Sequence, residues 1–413
     1  MNKGIGSRFL FDETALDTAK ICVVGIGGGG GNAVNNMIRE GIQDVSFIAI
    51  NTDAQALHGN LATHKIQAGR ALTKGLGTGA RPSVGTEAVS ADKDAIEIAL
   101  QGFDLAFITA GMGGGTGTGG APVVAEIVQK LGILAVAIVT KPFDCEGMRR
   151  MEMAKEGIEQ LRDYVDTLIV IPNERLLDIA DETTSLIEAF RRADDLLYNA
   201  TRGISDLITI HGLINLDFAD VRTTMQDGGT ALMGVATAKG EKRAEKAAIE
   251  AISSPLLDGM SISGARNVLV NITAGTSLGI REATAATSII QQEAGPEVEV
   301  IFGTVIDEEM KEDLRVTVIA TGFNREQSSK ATRRTVLLSD PIYDYKGEHS
   351  LKILDVPAYE RRGTVATTVE SGSEEDKKGG RGQIKRLRVD EHASRNNPTD
   401  SLDQPAFLRK MMD

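Results

Sequence analysis

The chain has 413 residues, is 41% hydrophobic and carries a formal charge of −13 at pH 7, a length that predicts two domains with additional chain rather than one core. The acidic balance repels DNA and anionic lipid, and no stretch approaches the roughly 20 apolar residues that a membrane-spanning helix needs. Two distant cysteines, Cys22 and Cys145, make no disulfide framework, and residues 1–20 contain no signal-peptide core, so a cytoplasmic, reducing compartment is expected.

The charge is unevenly placed. Residues 324–413 hold 17 basic and 15 acidic side chains, which leaves 28 against 43 before them, a net −15. An acidic body therefore precedes a nearly neutral distal segment.

Taken in chain order, residues 1–20 mix charged and apolar side chains and are expected to be a flexible extension. Residues 21–24 are an apolar run that reads as a buried strand. They lead into the glycine turn Gly25-Ile-Gly-Gly-Gly-Gly-Gly31 and a helix expected from near Asn32. Residues 45–51, 105–110, 134–140 and 167–171 read as further strands, with helical patterns such as 121–131 between them. Strands alternating with helices predict an α/β fold with a doubly wound parallel sheet over residues 21–184. Ligands of such sheets bind beyond the carboxyl ends of the strands, where the glycine turns lie.

A long central helix is expected over 185–212. Ser185 and Glu188 have the spacing of a capping box. Leu186, Phe190, Ala193, Leu197, Ala200, Ile204 and Leu207 recur at three- and four-residue intervals, and Gly212 reads as the stop. A second α/β domain over 213–323 follows, with helices expected at 239–252 and 280–294 and strands at 267–273, 297–304 and 314–321. Residues 324–401, rich in charge, Ser, Thr and Gly, are too poor in apolar side chains to offset their ordering entropy and read as a disordered linker. Residues 402–413 regain apolar character and read as a partner-docking peptide.

Two glycine turns carry the chemistry. Gly25-x-Gly27-x-x-Gly30 follows a strand and opens a helix, and Asp53 stands at the distance of a ribose-binding acid. Alone, this pattern serves an NAD-dependent oxidoreductase as well as any other nucleotide protein. The second turn, Gly111-Met-Gly-Gly-Gly-Thr-Gly-Thr-Gly-Gly120, has the same context. Two such turns from neighbouring strands can grip a di- or triphosphate from two sides, with Thr116 and Thr118 adding hydroxyls; a redox dinucleotide needs only one. No Gly-x-x-x-x-Gly-Lys-Ser/Thr sequence is present, so this is not a P-loop protein. A third run, Lys74-Gly-Leu-Gly-Thr-Gly79, could close over the phosphates.

Gly113-Gly-Gly-Thr-Gly-Thr-Gly119 resembles the glycine-rich loop shared by the tubulin and FtsZ families. Asn51-Thr-Asp53, Lys141-Pro-Phe143 and Asn215-Leu-Asp-Phe-Ala-Asp-Val-Arg222 fall in the order that the FtsZ family has them. The resemblance covers roughly residues 20–323, and Leu402-Asp-Gln-Pro-Ala-Phe-Leu-Arg-Lys410 resembles that family's terminal peptide. It implies a tubulin-like GTPase that uses GTP and Mg2+, yields GDP, and polymerises into the bacterial division ring at mid-cell. It also implies assembly regulators and membrane-tethering adaptors such as FtsA or ZipA, bound through residues 402–413.

Carried onto this chain, Gly28, Gly29, Gly30, Gly31 and Asn32, with Gly115, Thr116 and Gly117, would hold the phosphates. Glu146 and Arg150 would contact the sugar and phosphate region; without the resemblance they read rather as a surface pair at helical spacing. Phe190 and Asp194 lie one helical turn apart and can face one ligand. Phe190 can stack on a purine, and a carboxylate at Asp194 can accept from both N1–H and N2–H of guanine, a pair adenine lacks. A plain exposed charge at Asp194 is the alternative.

Asp217 and Asp220, with Asn215 in the same acidic loop, could bind a cation or position a water. The helical part between Asp194 and Asp217 is expected to span roughly 27 Å, too far for these acids to reach their own chain's nucleotide. Either they only cap a helix, or they complete the site of a neighbouring subunit in a head-to-tail stack, which is also what the resemblance implies. In the linker, Leu354-Asp-Val-Pro-Ala-Tyr-Glu-Arg-Arg362 matches the terminal peptide at five of nine positions, so it reads either as coincidence or as a weaker second docking site.

Overall fold

A computed structural model describes residues 19–178, 184–210, 212, 214, 216–257 and 260–323. The linker, the terminal peptide, its internal echo and Asn215 lie outside the described residues.

Among the described residues ten strands form the sheet: β1 (Ile21–Ile26), β2 (Val45–Asn51), β3 (His64–Gln67), β4 (Leu105–Gly111), β5 (Leu134–Lys141), β6 (Thr167–Pro172), β7 (Gly229–Lys239), β8 (Asn267–Ala274), β9 (Glu299–Ile306) and β10 (Asp313–Thr321). Their spatial order is β3-β2-β1-β4-β5-β6-β7-β10-β8-β9. From β3 through β7 every neighbouring pair is parallel. The first six strands have the order 3-2-1-4-5-6, in which the chain winds away from β1 in one direction and then in the other. The crevice at this reversal, between the carboxyl ends of β1 and β4, is where doubly wound sheets bind ligands. Both glycine turns leave the sheet there.

All six residues of β1 are buried because helices cover both faces of the sheet. Ile21 and Val23 pack on the face shared with the central helix; Cys22, Val24 and Ile26 pack on the other. Burial pushes the Cys22 thiol up to about 12, and both cysteines are free thiols. Cys22 is therefore a small apolar core residue.

The central helix runs Leu186–Thr209, 24 residues and about 36 Å long. Ala189, Ala193, Leu197, Ala200, Ile204 and Leu207 form its buried stripe, at the three- and four-residue spacing seen in the sequence. The Ser185 hydroxyl accepts from the backbone N–H of Glu188 at 3.2 Å. The helix stops three residues before Gly212 because β9 captures the chain. Ile214 N–H donates to the Thr304 hydroxyl at 3.1 Å, and the Thr304 N–H donates to the Ile214 carbonyl at 3.2 Å. A Cβ on Gly212 would lie 1.7 Å from the Thr304 carbonyl oxygen, so glycine is needed there for close approach, not to cap the helix.

The second half is mixed. β7 continues the parallel sheet for three residue pairs, and β10 then runs antiparallel to both β7 and β8. Residue 239 ends β7, and the helix expected from it begins at Arg243. The eleven-residue strand before it was hidden by its Ala- and Gly-rich composition, which has low strand propensity. Packing requires that composition: a Cβ on Gly234 would meet the Ala251 carbonyl oxygen at 1.9 Å. Arg202 ties the central helix to this half, donating to Asp206 at 2.9 Å, to the Tyr198 hydroxyl at 2.8 Å and to Asp307, beyond β9, at 2.7 Å.

Candidate nucleotide-binding site

The first glycine run is itself helical. The helix Gly27–Arg39 starts five residues before Asn32 and directly on the end of β1, although glycine is a poor helix former. Tertiary contact overrides propensity here. A Cβ on Gly30 would lie 2.3 Å from the Thr109 carbonyl oxygen of β4, and one on Gly29 would lie 3.0 Å from the Gly111 backbone. Only glycines let this helical turn lie against β4. The second run behaves alike: the helix Thr116–Lys130 opens after Gly115. Neither helix has a side-chain cap or an acid in its first turn. Two sets of N-terminal N–H groups thus converge at the sheet's reversal point, an arrangement suited to phosphate.

A cavity of about 460 Å³ lies over them, within the range of small-molecule sites. Gly28, Gly29 and Asn32 line it from the first turn, and Gly114, Gly115, Thr116 and Gly117 from the second. At Gly28 and Gly114 an added Cβ would meet nothing within 4 Å, so both missing side chains leave space open. Gly30 is packed against β4 instead, and the Gly31 carbonyl accepts from Asn60 at 2.8 Å; neither lines this cavity. Thr118 also turns away, its hydroxyl accepting from Gly113 N–H at 2.9 Å to hold the turn. The third glycine run contributes Thr78. Asp53, the ribose candidate of a dinucleotide enzyme, instead caps the helix Ala54–His58, accepting from Gln55 and Ala56 N–H at 2.9 and 3.1 Å.

Glu146, Arg150, Phe190 and Asp194 line the cavity with the glycine turns. Glu146 is ion-paired to Arg150 and also accepts from Phe143 N–H at 3.0 Å. Phe143, buried, meets Phe190 edge to face, with ring centroids 5.2 Å apart. That contact fixes Phe190 while leaving it 42% exposed, a ring held ready for stacking. Burial pushes the Asp194 carboxyl up to about 7, and the neighbouring Asp195 carboxylate adds to the rise. Such a shift costs stability that a ligand donating to the carboxylate would recover.

Asn173 was missed in the sequence. It follows β6 directly, is 4% exposed, lines the cavity, and its side-chain oxygen has no hydrogen-bond partner. A buried acceptor without a partner is costly, and a bound nucleotide can satisfy it. The available signal was position: a polar residue at the carboxyl end of a parallel strand, beside the two glycine turns.

Asp217 and Asp220 lie elsewhere. Their helix, Phe218–Met225, sits at the amino ends of the strands: Arg222 donates to the Asp104 carbonyl just before β4 at 3.4 Å, and the Thr167 hydroxyl at the start of β6 donates to the Met225 carbonyl. The seven residues of β4, at ~3.3 Å each, put about 20 Å between that edge and Gly111. Fifteen residues of central helix follow Asp194, about 22 Å of rod, somewhat less than the sequence suggested because the helix ends early. Asp217 stands at the N-cap position yet its carboxylate makes no cap bond, and both acids are exposed. Neither lines the cavity.

Among the described residues no cluster of His, Cys, Asp or Glu could hold a metal ion, and no helix is long and apolar enough to cross a membrane. Residues 20–181 match the GTPase domain of the Tubulin/FtsZ family, and residues 229–324 match the C-terminal domain of the FtsZ family. An FtsZ dimer from M. jannaschii is 45% identical, with a TM-score of 0.72, covering 74% of this chain and 89% of that one. A tryptophan-to-tyrosine mutant of the M. jannaschii FtsZ is 46% identical, with the same TM-score and coverage of 74% and 91%. CetZ2 from Haloferax volcanii, in a GTPγS-bound protofilament, is 20% identical, with a TM-score of 0.61 and coverage of 77% and 98%, a likeness of fold alone. With the glycine turns, the cavity and the family matches in agreement, this chain belongs to the FtsZ family and is a GTPase.

Proposed function

We propose that the protein binds GTP with its triphosphate on the two glycine turns and its guanine against Phe190 and Asp194. It polymerises head to tail and hydrolyses GTP at the junctions, where Asp217 and Asp220 of one subunit, with Asn215, act on the nucleotide of the next. The filaments build the division ring at the mid-cell site in the cytoplasm, attached to adaptors such as FtsA or ZipA by residues 402–413. The observation that carries this reading is polarity: the cavity opens at the carboxyl ends of the parallel strands, and the exposed acids stand at their amino ends. A surface with ligand at one pole and acids at the other is suited to a heterologous contact that does not close.

Magnesium fits this site without a protein cage. Mg2+ is commonly carried by phosphate oxygens and water with few protein ligands; at the phosphate end of the cavity the glycine N–H groups would hold the phosphates, and the Thr78 and Thr116 hydroxyl oxygens would be the side-chain groups within reach of the ion. When bound, the ion would neutralise developing phosphate charge; the glycine turns of one subunit hold the nucleotide, and Asp217 and Asp220 of its neighbour place the attacking water. The test of the whole reading is sedimentation with GTP against GDP, with phosphate release followed in parallel. GTP-dependent pelleting and a threshold protein concentration for turnover are expected. Constant specific activity down to high dilution would show a self-sufficient monomer.

Asp194 gives a pH signature. Only its ionised form accepts both guanine N–H groups, and in the empty cavity it titrates near 7. GTP affinity should therefore be constant above about pH 8 and fall toward tenfold per unit below pH 7. The same raised carboxyl makes the empty fold lose stability as pH rises through 7, so the thermal shift given by GTP should be larger at pH 8 than at pH 6. Titrations across pH 5.5–8.5 check this. Asp194→Asn should bind weakly and with a flat profile, and a flat profile in the unmodified protein would remove Asp194 as the guanine reader.

A further inference from the structure

Thr52 lies in the turn after β2 and is wholly buried. It does not line the nucleotide cavity, yet its hydroxyl oxygen is 2.7 Å from that of Thr116, which does. The Thr116 hydroxyl is also 3.5 Å from that of Thr78. Three loops that leave different parts of the sheet thus meet around one hydroxyl at the mouth of the second glycine turn. The Thr52 side is fixed on its other flank as well. Its carbonyl accepts from the Thr73 hydroxyl at 3.4 Å, and Ala54 N–H donates to the Gly75 carbonyl at 3.1 Å.

A threonine hydroxyl has one proton to give and two lone pairs to accept with. In the pair at 2.7 Å, one of the two must donate. If Thr116 donates to Thr52, it turns only lone pairs toward the cavity, which repel a phosphate oxygen. If Thr52 donates to Thr116, the Thr116 proton is free to point at the phosphate. Thr52 is sealed from water, so its proton has no competing solvent acceptor. A phosphate in the cavity favours the second arrangement, and each hydrogen bond in the chain polarises the next.

We propose that Thr52 is a positioning residue for nucleotide binding: its buried hydroxyl donates to Thr116 and so commits the Thr116 proton to a phosphate oxygen of the bound nucleotide. The inference rests on the cavity being the GTP site. It adds a residue that touches no ligand and acts through one that does.

The test is a double-mutant cycle with Thr52→Val and Thr116→Val in the full chain, reading GTP and GDP affinity by calorimetry and folding by thermal unfolding. Valine keeps the shape and removes the hydroxyl. Thr52→Val should weaken GTP binding roughly five- to tenfold, the usual worth of one hydrogen bond, and Thr52→Ser should restore it. In the Thr116→Val background the same change at Thr52 should do almost nothing, because the residue it orients is gone. Equal losses in both backgrounds, or full affinity in a folded Thr52→Val protein, would overturn the relay. A merely structural role would lower the unfolding temperature without this dependence on Thr116, and should Thr116→Val not fold, Thr116→Ala carries the cycle. Failure of the unmodified protein to bind GTP would instead overturn the reading of the cavity, so the two failures are told apart.

Discussion

Asp220→Ala will bind GTP within about twofold of the unmodified protein and will lose turnover by roughly a hundredfold or more, the usual span for removing a group that positions or activates the attacking water. Asp217→Ala is expected to behave alike. The reason is distance. Both carboxylates are exposed on the Phe218–Met225 side, at the amino ends of the strands, whereas every residue lining the nucleotide cavity lies toward the carboxyl ends. Removing them takes nothing from the GTP held by the same chain. Nor does the loss of Asp217 uncap a helix, since its carboxylate makes no cap bond. Calorimetric titration and phosphate release, measured on one preparation, check both halves. Loss of GTP affinity in either variant would contradict the separation.

The opposite phenotype belongs to Gly114→Asp. A Cβ at Gly114 meets nothing within 4 Å and the residue lines the cavity, so the substitution is expected to leave the fold intact and to put a carboxylate where the phosphates are proposed to lie. At ~5 Å and an effective dielectric of about 20, each like-charge pair costs about 3 kcal/mol. GTP affinity should fall more than a hundredfold while the unfolding temperature stays within a degree or two. Gly30→Ala is the instructive contrast. Its Cβ would lie 2.3 Å from the Thr109 carbonyl oxygen, so binding and stability should fail together. Equal thermal losses in the two variants would mean that the space at Gly114 is not open, and unchanged GTP affinity in a folded Gly114→Asp protein would mean that it is not the ligand's.

How much of this was legible in the sequence follows from what kind of contact decides each feature. Strands buried on both faces have an unmistakable composition, and β1, β2, β4, β5 and β6 appeared within one or two residues of their observed bounds. The central helix was visible from its stripe and its Ser185 cap. Its end was not, because β9, ninety residues away in sequence, captures Ile214. The helical start at Gly27 and the long strand β7 were obscured for one reason: glycine and alanine lower local propensity at the positions where close packing demands them. At the site, both glycine turns could be read from their spacing, whereas the Phe190–Asp194 pair came from the family resemblance, with its one-turn spacing in support. The inward turn of Thr118, the capping use of Asp53 and the unpartnered side-chain oxygen of Asn173 could not, since each depends on where a neighbouring loop lies.

If one catalytic site is built from two subunits, two proteins that are inactive for different reasons should complement each other when mixed. Asp220→Ala retains a filled cavity without its acid, and Gly114→Asp retains the acid without a filled cavity. Each alone is expected to release almost no phosphate, and the equimolar mixture to recover measurable GTP hydrolysis, at junctions where Asp220 of the glycine variant meets the GTP of its neighbour. A mixture that co-sediments and yet stays inactive would mean that the site is not shared between subunits.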